Sequence, residues 1–376
     1  MRLALAEIRR AKARFGLLSA AVALLVFLIL FQQSIAGSLL GSFTGGLERQ
    51  SASVLIFNAD ARRSVDGSRV APAQVAAVEA VPGVAQAGPI GEASFSVDVG
   101  GTITDTTVFG YELGGPGAPT TLSDGRLPGA EGEAVASIAD AEAGYGLGAT
   151  LLVVPGDVPI RVVGVAEDIN FNVQPTLFVS YPTYERLVRA TNPDARGVVP
   201  SLVGVEPRSG ITPADLAARI DRSVEGVEAL DRATAVASLP GASSIRQSFA
   251  IILGLAFVVV VLLTGFFFLI ITVQKASALT LLRAVGAGNG FLLRALVTQV
   301  ILVIVSGAAL AVGLVAVAAA GASSGSLEVR LEPAIAAVTV GAILGLGLLS
   351  TGAAMRRVVR LDPAAATQRS GGGGLA

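Results

Sequence analysis

The chain has 376 residues, of which 52% are hydrophobic and only 15% are charged, and its mean hydropathy is +0.70. Such a composition is too apolar for two soluble domains, so the excess apolar residues must face lipid. Because the sequence has no cysteine and no histidine, it excludes disulfides, thiol nucleophiles, imidazole bases and almost every zinc, haem or iron–sulfur ligand set.

Four uncharged stretches are long enough to cross a bilayer as helices, because a charge at the bilayer centre costs about 2.5 to 3.5 kcal/mol. They are Phe15–Leu47, Gln247–Gln274, Ala295–Leu327 and Pro333–Met355. The sequence therefore predicts a membrane protein with four transmembrane α-helices. The predicted segments are residues 1–36 (cytoplasmic N-terminus and first helix), 247–274 (second helix), 295–320 (third helix) and 334–355 (fourth helix).

Two features of these spans have alternative explanations. Gly341 and Gly345 form a GxxxG pair, a spacing that allows helices to pack closely, although general use of small residues explains the pair equally well. The first span also resembles a secretory signal peptide that ends in the small-residue triplet Ser34, Ile35 and Ala36. An uncleaved anchor is favoured, because the apolar stretch is longer than the roughly 7 to 15 residues typical of a signal peptide.

The distribution of charge predicts the orientation of the chain. Lysine and arginine are concentrated before the first span, in residues 275–294 and in residues 356–376, which form a basic, glycine-rich tail. Acidic residues outnumber basic ones in the long segment 37–246 and in the short loop 321–333. Since cytoplasmic loops carry the excess of Lys and Arg, both termini are expected in the cytoplasm and residues 37–246 outside the plasma (inner) membrane.

The long segment 37–246 alternates short β-type runs with helical stretches, which indicates a large α+β domain inserted between the first and second transmembrane helices. Two of the helical stretches open with Pro72 and Pro213, and both close near a Gly-Val pair. They indicate two related α/β units that flank an inserted β-rich lobe of about residues 111–195, although coincidence explains the similarity equally well. The β-type runs are residues 53–57, 94–99, 150–155, 160–165 and 177–181.

Residues that could carry chemistry are sparse in this domain. Glu167, Asp168 and Asn170 lie close together after a strand, and Asp140 with Glu142 precedes a glycine-rich turn. We interpret both groups as solvated loop side chains. Without His or Cys a metal site would need oxygen ligands alone, and no catalytic constellation is visible. The sequence therefore predicts a non-catalytic chain.

Residues 275–294 connect the second and third spans and are too apolar for a flexible linker. Leu279, Leu282 and Val285 fall on one helical face, and a glycine-rich stretch at 286–290 then ends the helix. A short amphipathic helix of this kind lies on the bilayer surface or inserts into a groove on a cytosolic partner. Physical arguments alone favour the bilayer surface.

Several stretches resemble one family of membrane proteins. LTLLRAVGA at 279–287 is similar to the coupling segment of the MacB/FtsX-like ABC transporter permeases, and RRVVRLDPAAA at 356–366 is similar to their ending. The start, LALAEIRRAKARFGLL, resembles the family's entry into its first span. With NADARRSVDGSR at 58–69, it resembles the DevC-like branch, which includes haem-efflux permeases. The resemblance covers the whole layout of one span, a large outer domain and three further spans.

This resemblance implies a permease subunit that works as a homodimer in the lipid bilayer, with two copies of a separate cytoplasmic ATPase. The sequence agrees, because it has no GxxxxGK[ST] loop that could bind ATP phosphates. The implied function is ATP-driven movement of the outer domain and export of a hydrophobic or amphipathic substrate such as haem, a lipid, a drug or a peptide. The alternative is an FtsX-like mechanical regulator of a cell-wall hydrolase. Neither function implies a resident cofactor or nucleic-acid binding.

The resemblance also assigns residues. Where the family's coupling motif begins with Glu this chain has Ala278, and where an acid often opens the third span it has Gln299, so those polar roles are not transferred. No residue is assigned to substrate; haem would need a tyrosine ligand or apolar contact with Arg–propionate pairs. The ATPase-coupling residues are Leu281, Leu282, Arg283, Ala284, Val285, Gly286 and Ala287. The cytoplasmic anchor is Arg356, Arg357, Asp362 and Pro363. The tyrosines are Tyr111, Tyr145, Tyr181 and Tyr184.

Overall fold

The structure, a computed structural model, describes residues 12–195, 197–274, 289–322 and 333–359. The chain divides into two compact units. We call Gly37–Ser248 the α+β unit, and we call the described residues before and after it the helical unit.

The helical unit is built from parts of four long helices. Helices α1 (Lys12–Glu48) and α6 (Pro240–Gln274) contribute residues to both units, whereas α7 (Asn289–Ala322) and α8 (Pro333–Val359) belong to the helical unit alone. Three segments of the described residues are long and apolar enough to cross a membrane, and the apolar part of α8 is shorter. These segments are Phe15–Glu48, Pro240–Val259 and Val297–Ala319, and the shorter one is Ala336–Leu346.

Helix α1 packs closely against α7. A methyl group on Gly307 of α7 would lie 2.8 Å from Cγ1 of Val22 and 3.1 Å from the carbonyl oxygen of Ser19. The hydroxyls of Ser19 and Ser306 are 2.9 Å apart and form a hydrogen bond between the two helices. Small residues therefore bring the two backbones together, as they commonly do in membranes.

A second polar contact links α1 to α8, because the Thr339 hydroxyl donates to Oε1 of Gln33 over 3.1 Å. Among the described residues, the GxxxG pair on α8 makes no close contact. Side chains added at Gly341 and Gly345 would meet no described atom within 4 Å. Thr339, Ala336 and Ile343 of α8 do pack within the helical unit.

Helix α6 carries large exposed apolar side chains along the part of it that lies in the helical unit. Ile251, Leu255 and Phe266 are 61–66% exposed. Contiguous apolar surface of this kind is stable against lipid or another apolar surface and unfavourable in water. The exposure agrees with the membrane location expected from hydropathy.

The α+β unit contains one ten-stranded sheet. Its strand order is β10-β1-β9-β2-β3-β8-β5-β7-β4, and β6 pairs with both β2 and β7. All five predicted β-type runs lie in strands β1, β2, β6, β7 and β8. The strands are β1 (Val54–Asn58), β2 (Val84–Val99), β3 (Thr102–Tyr111), β4 (Leu122–Gly125), β5 (Glu133–Ser137), β6 (Thr150–Val154), β7 (Val158–Ala166), β8 (Thr176–Ser180), β9 (Leu202–Pro207) and β10 (Val227–Asp231). The helices are α2 (Pro72–Glu79), α3 (Tyr181–Thr191), α4 (Pro213–Ser223) and α5 (Arg232–Ser238).

Two β-α-β units form one half of this sheet. The first is β1-α2-β2 and the second is β9-α4-β10, and their strands interleave in the antiparallel order β10-β1-β9-β2. This is the arrangement of a ferredoxin-like split β-α-β fold. The structure thus contains two α/β units of the same connectivity, and the segment between β2 and β9 supplies the remaining strands.

Local sequence explains why the two units match. Pro72 and Pro213 each occupy the first turn of a helix, where the missing amide costs nothing. A glycine with φ of 110° at Gly83 and 75° at Gly226 then leads into the next strand. The first of these helices ends at Glu79, and Pro82 and Gly83 then lead directly into β2.

The sheet separates several apolar cores. Alternate residues of β1 enter two of them: Leu55 and Phe57 face one core, whereas Val54 and Ile56 face another that α2 and α4 cover. The core that contains Phe57 also receives Leu47 from α1 and Leu239, and we call it the helix core. Helix α3 covers a further core on the other half of the sheet.

We predict that Gly307→Ala destabilises the helical unit by about 1–3 kcal/mol, because the added methyl group has no space against Val22. Gly313→Ala in the same helix is the matched control, since no described atom lies within 4 Å of its added methyl group. Thermal unfolding of the purified chain in detergent would measure both. Equal stability of the two variants would contradict the packing described for α1 and α7.

Candidate functional site: a clamp on the first helix

The last turns of helix α1 are built into the helix core. Leu47 is fully buried there, and the half-buried Leu40 and Phe43 pack against the same cluster. Thr44 is 1% exposed, and its hydroxyl donates to the carbonyl of Leu40 over 2.9 Å. The apolar run that continues past the predicted first span therefore ends in the interior of the α+β unit.

The loop between β7 and β8, residues 167–174, is bonded to this helix end through backbone groups. The Gly46 amide donates to the carbonyl of Asn170 over 3.0 Å. In the opposite direction, the Asn172 amide donates to the carbonyl of Phe43 over 3.2 Å, and the Val173 amide donates to that of Ser42 over 3.0 Å. Three backbone hydrogen bonds thus join the loop to the helix.

Glycine makes this approach possible. A methyl group on Gly45 would lie 2.2 Å from the carbonyl oxygen of Asp168, and one on Gly46 would lie 2.7 Å from Cε2 of Phe109. On α6, a methyl group on Gly241 would lie 2.1 Å from Cζ of Phe43. We call residues 42–46, the loop 167–174 and Gly241 the helix clamp.

The loop of the helix clamp has an unusual backbone. Asp168, Asn172 and Val173 have φ of 55°, 52° and 58°, in the left-handed region that non-glycine residues rarely adopt. The cost is largest for Val173, because its side chain branches at Cβ. Such conformations persist only where surrounding contacts hold them, and they are enriched at functional sites.

A partly buried polar network also holds the loop in place. The Asn170 side-chain amide donates to Oδ2 of Asp140 over 2.8 Å and to the carbonyl of Gln174 over 3.2 Å, and the Ser137 hydroxyl donates to Oδ1 of Asn170. Burial raises the pKa of Asp140, although the hydrogen bond from Asn170 acts in the opposite direction. Both ends of the Asn170 amide are therefore used to hold the loop.

This network corrects one sequence-based interpretation. Asp140 was expected to be a solvated loop carboxylate, and it is instead partly buried and bonded to Asn170. Glu142 and Glu167 are exposed, as expected. Asp168 lies 3.9 Å from the guanidinium of Arg49, with both side chains about two-fifths exposed. The sequence could not reveal the pairing, because Asp140 and Asn170 are 30 positions apart.

The residues that the sequence assigned to ATPase coupling, Leu281–Ala287, lie outside the described residues, as do Ala278, Asp362 and Pro363. Arg356 and Arg357 belong to α8, and only their backbone is described. Both assignments therefore stay predictions. Gln299 is described and is 4% exposed within α7.

Three of the four tyrosines considered as haem ligands are core residues, and Tyr181 is partly buried against the same core as Tyr184. Tyr111, Tyr145 and Tyr184 are 1–3% exposed, and the Tyr145 hydroxyl lies 2.6 Å from that of Thr106. Burial raises the pKa of Tyr111 and of Tyr184 to about 12, which favours the neutral phenol over the phenolate that would ligate iron. Among the described residues there is also no cluster of three acidic side chains that could hold a metal.

The sequence analysis missed the helix clamp. The helix end and the loop are more than 120 positions apart along the chain, so no local pattern connects residues 42–46 with the loop 167–174. The signal that was available is the Gly45–Gly46 pair directly after a long apolar run, since glycine is unfavourable inside a helix unless close packing requires it.

We predict that Gly45→Ala destabilises the α+β unit by at least about 1–3 kcal/mol, because the new methyl group meets the backbone of Asp168 and cannot be accommodated by a rotamer change. Gly41→Ala is the control in the same helix, since its added methyl group has no described neighbour within 4 Å. Thermal unfolding of the full chain measures both. A clamp that tolerates Gly45→Ala as well as Gly41→Ala would not have the geometry described.

We also predict that Asp140→Ala lowers stability by about 1–3 kcal/mol, because it leaves a donor of the Asn170 amide without its carboxylate partner. Glu142→Ala, at an exposed position of the same segment, should change stability by less than about 0.5 kcal/mol. Hydrogen exchange of residues 167–174 should also increase in Asp140→Ala. Unchanged exchange there would mean that the network does not support the loop.

Comparison with known proteins agrees with the architecture. A family model described as the MacB-like periplasmic core domain matches residues 15–223. An uncharacterized ABC transporter permease of Mycobacterium tuberculosis is 28% identical over 301 residues, which cover 78% of this chain and 77% of that protein. An uncharacterized ABC transporter permease of Mycobacterium bovis is 25% identical over 291 residues, which cover 77% of this chain and 76% of that protein.

A solved structure, the periplasmic region of MacB from Actinobacillus actinomycetemcomitans, is 17% identical and has a TM-score of 0.36, over 48% of this chain and 89% of that one. The family model itself covers more than half of the chain. The sequence-based resemblance to the MacB/FtsX-like family is thereby confirmed. The chain belongs to the family of membrane proteins that carry a MacB-like periplasmic core domain.

Proposed function

We propose that this chain is the permease subunit of an ABC transporter that exports a hydrophobic or amphipathic substrate. In this proposal four transmembrane helices carry the α+β unit, which is inserted between the first and second of them. The termini are cytoplasmic and the α+β unit lies outside the plasma membrane. The observation that carries the proposal is the similarity to ABC transporter permeases over more than three quarters of the chain.

A separate ATPase supplies the energy. The sequence has no GxxxxGK[ST] loop, so it lacks the backbone cradle and the lysine with which P-loop proteins bind ATP phosphates. The chain forms a homodimer that binds two copies of the ATPase. The contact is made by Leu281–Ala287, and Arg356 and Arg357 anchor the last helix at the cytoplasmic surface.

The helix clamp supports mechanical coupling. Because Leu47 is fully buried in the helix core and Gly46 is bonded to the loop 167–174, the end of α1 cannot slide within the α+β unit without loss of core packing and hydrogen bonds. A displacement of α1 caused by ATP-driven movement is therefore passed to the whole sheet. Gly241, which meets Phe43, gives α6 a fixed point in the same core.

The spans themselves favour movement of an apolar substrate over an ion pathway. The apolar cores of the predicted spans contain no Asp, Glu, Lys or Arg. Ion and proton pathways in membrane proteins are marked by such residues. In this proposal, as the family resemblance implies, substrate enters from the outer leaflet or the outer compartment, and the α+β unit drives its release.

Co-purification with the ATPase tests the proposal directly. We predict that Leu282→Asp lowers recovery of the ATPase with the chain at least about tenfold, which corresponds to about 1.4 kcal/mol, because it puts a charge into an apolar contact. Ser277→Asp, in the same segment but outside the proposed contact, is the control and should retain the partner. Recovery of no ATPase with the wild-type chain would contradict the proposal.

Reconstitution then separates export from regulation. In proteoliposomes with the ATPase, haem, lipids and lipophilic drugs should each be tested for stimulation of ATP hydrolysis, and at least one should stimulate. A deletion strain should be sensitive to a toxic hydrophobic compound. Chaining or rod-shape defects without such sensitivity would instead support an FtsX-like regulator of a cell-wall hydrolase.

A further inference from the structure

Residues 59–70, between β1 and α2, form a compact loop whose two ends are tied together. The Asn58 backbone amide donates to the Ser68 hydroxyl over 2.9 Å, and the Asn58 side-chain amide donates to the carbonyl of Arg69 over 2.9 Å. Closely spaced ends and internal packing are the features of an Ω-loop, a class that is frequently functional. The helix clamp does not include this segment.

The loop is held against the sheet at several points. Val65 is 3% exposed and belongs to the helix core, together with Leu47 of α1. The Arg63 guanidinium lies 2.6 Å from the carboxylate of Glu228 on β10. Arg62 and Arg63 have φ of 50° and 66°, so two consecutive non-glycine residues adopt the left-handed conformation. The loop conformation therefore depends on its contacts with the sheet.

Glu92 on β2 lies beneath this loop and is 1% exposed. Its backbone is satisfied, because its amide donates to the Ser201 hydroxyl and its carbonyl accepts from Ser201 and from the Tyr184 hydroxyl, each over 3.1 Å. The side chain of Glu92 is not satisfied in this way, since no described group donates a hydrogen bond to its buried Oε2. Buried carboxylates without a partner are rare and costly.

The described group that can satisfy the Glu92 carboxyl is the carboxyl of Asp66, an exposed residue of the loop that lies in hydrogen-bonding contact with it. Two carboxyl groups form a hydrogen bond only when they share a proton. Arg69 also faces Glu92, but its Nη1 donates to the backbone carbonyls of Asp66 and Ser68.

The electrostatic environment agrees with a shared proton. Burial is the main cause that raises the pKa of Glu92 to about 9, Asp66 acts in the same direction and Arg69 opposes it. Tyr184 of α3 also faces Glu92, and burial keeps this phenol neutral. At neutral pH Glu92 is therefore protonated and can donate a hydrogen bond to the side chain of Asp66.

We propose that Glu92 and Asp66 form a proton-operated latch that holds loop 59–70 on the sheet. With the proton present, the Glu92 carboxyl donates to Asp66 and the loop is fixed. When Glu92 gives its proton to water, an unpaired carboxylate is left buried beside a second carboxylate, and the loop separates from the sheet. Separation withdraws Val65 from the helix core. The latch therefore makes the packing of the α+β unit depend on the pH around it.

The direction of the pH dependence follows from linkage. The pKa of Glu92 is higher in the folded chain than its ordinary value of 4.5, so the folded state binds more protons than the unfolded state between pH 4.5 and about 9. The stabilisation by the neutral buried carboxyl is complete below pH 4.5 and is lost as pH rises towards 9. Loop opening should become marked as pH rises through about 9.

Hydrogen exchange of the full chain in detergent, corrected for the intrinsic rate at each pH, tests the latch. In the wild type, protection of residues 59–70 should fall at least about tenfold between pH 7 and pH 10. Glu92→Gln retains a neutral donor to Asp66 and should remove this pH dependence. Glu79→Gln, at an exposed position of α2, should behave as the wild type.

A second variant and the addition of Ca²⁺ complete the test. Asp66→Asn, at an exposed position, should weaken the pH dependence without unfolding the chain, and protection of residues 213–223 reports whether each variant is folded. Unchanged pH dependence in Glu92→Gln and Asp66→Asn would overturn the latch. Protection of the loop by Ca²⁺ at pH 10, lost in Glu92→Gln, would also overturn it and assign the pair to a cation. No ATPase is needed, so the result is independent of the proposed transport function.

Discussion

A helix can end inside the core of a sheet domain only if its backbone tolerates direct contact with the neighbouring backbone. In this protein Gly45 meets the carbonyl of Asp168, and Gly241 on α6 meets the ring of Phe43. No rotamer change relieves a contact between a side chain and a backbone carbonyl, so these positions fix where the chain enters and leaves the α+β unit. The rest of the site depends on this constraint, because a loop can bond to the carbonyls of residues 42 and 43 only at this separation.

Parts of the fold that are distant in sequence stabilise the unfavourable backbone conformation of the helix clamp. Three left-handed residues in the loop 167–174 are unfavourable in isolation, and they are held by hydrogen bonds to the helix and by the Asp140–Asn170 pair. Asp140 precedes β6 and the loop follows β7. The segment between the two β-α-β units therefore supplies the contacts that hold the loop. The strands between the two β-α-β units therefore stiffen the surface that holds the end of α1.

The features that could be predicted from the sequence are the ones determined locally. Hydropathy located the apolar helices, and proline followed by a Gly-Val pair located both β-α-β units, because helix starts and stops depend on a few neighbouring residues. The burial of Glu92 and Asp140 could not be predicted in this way. Glu92 is buried because β2 pairs with β3 on one side and with β9 on the other, and the pairing with β9 joins residues more than 100 positions apart. Asp140 was expected to be solvated, and this interpretation was wrong because its partner Asn170 lies 30 positions away.

The helix clamp and the proton latch act on one packed cluster. Phe171 of the helix clamp, Leu47 next to the clamp on α1 and Val65 of loop 59–70 belong to the same helix core. Because a packed core has few voids, withdrawal of Val65 removes contacts from a cluster that also fixes the end of α1. A proton lost at Glu92 would therefore loosen the hold on the helix without any change at the helix itself. The helix clamp and the latch are coupled directly, because both depend on the same buried contacts.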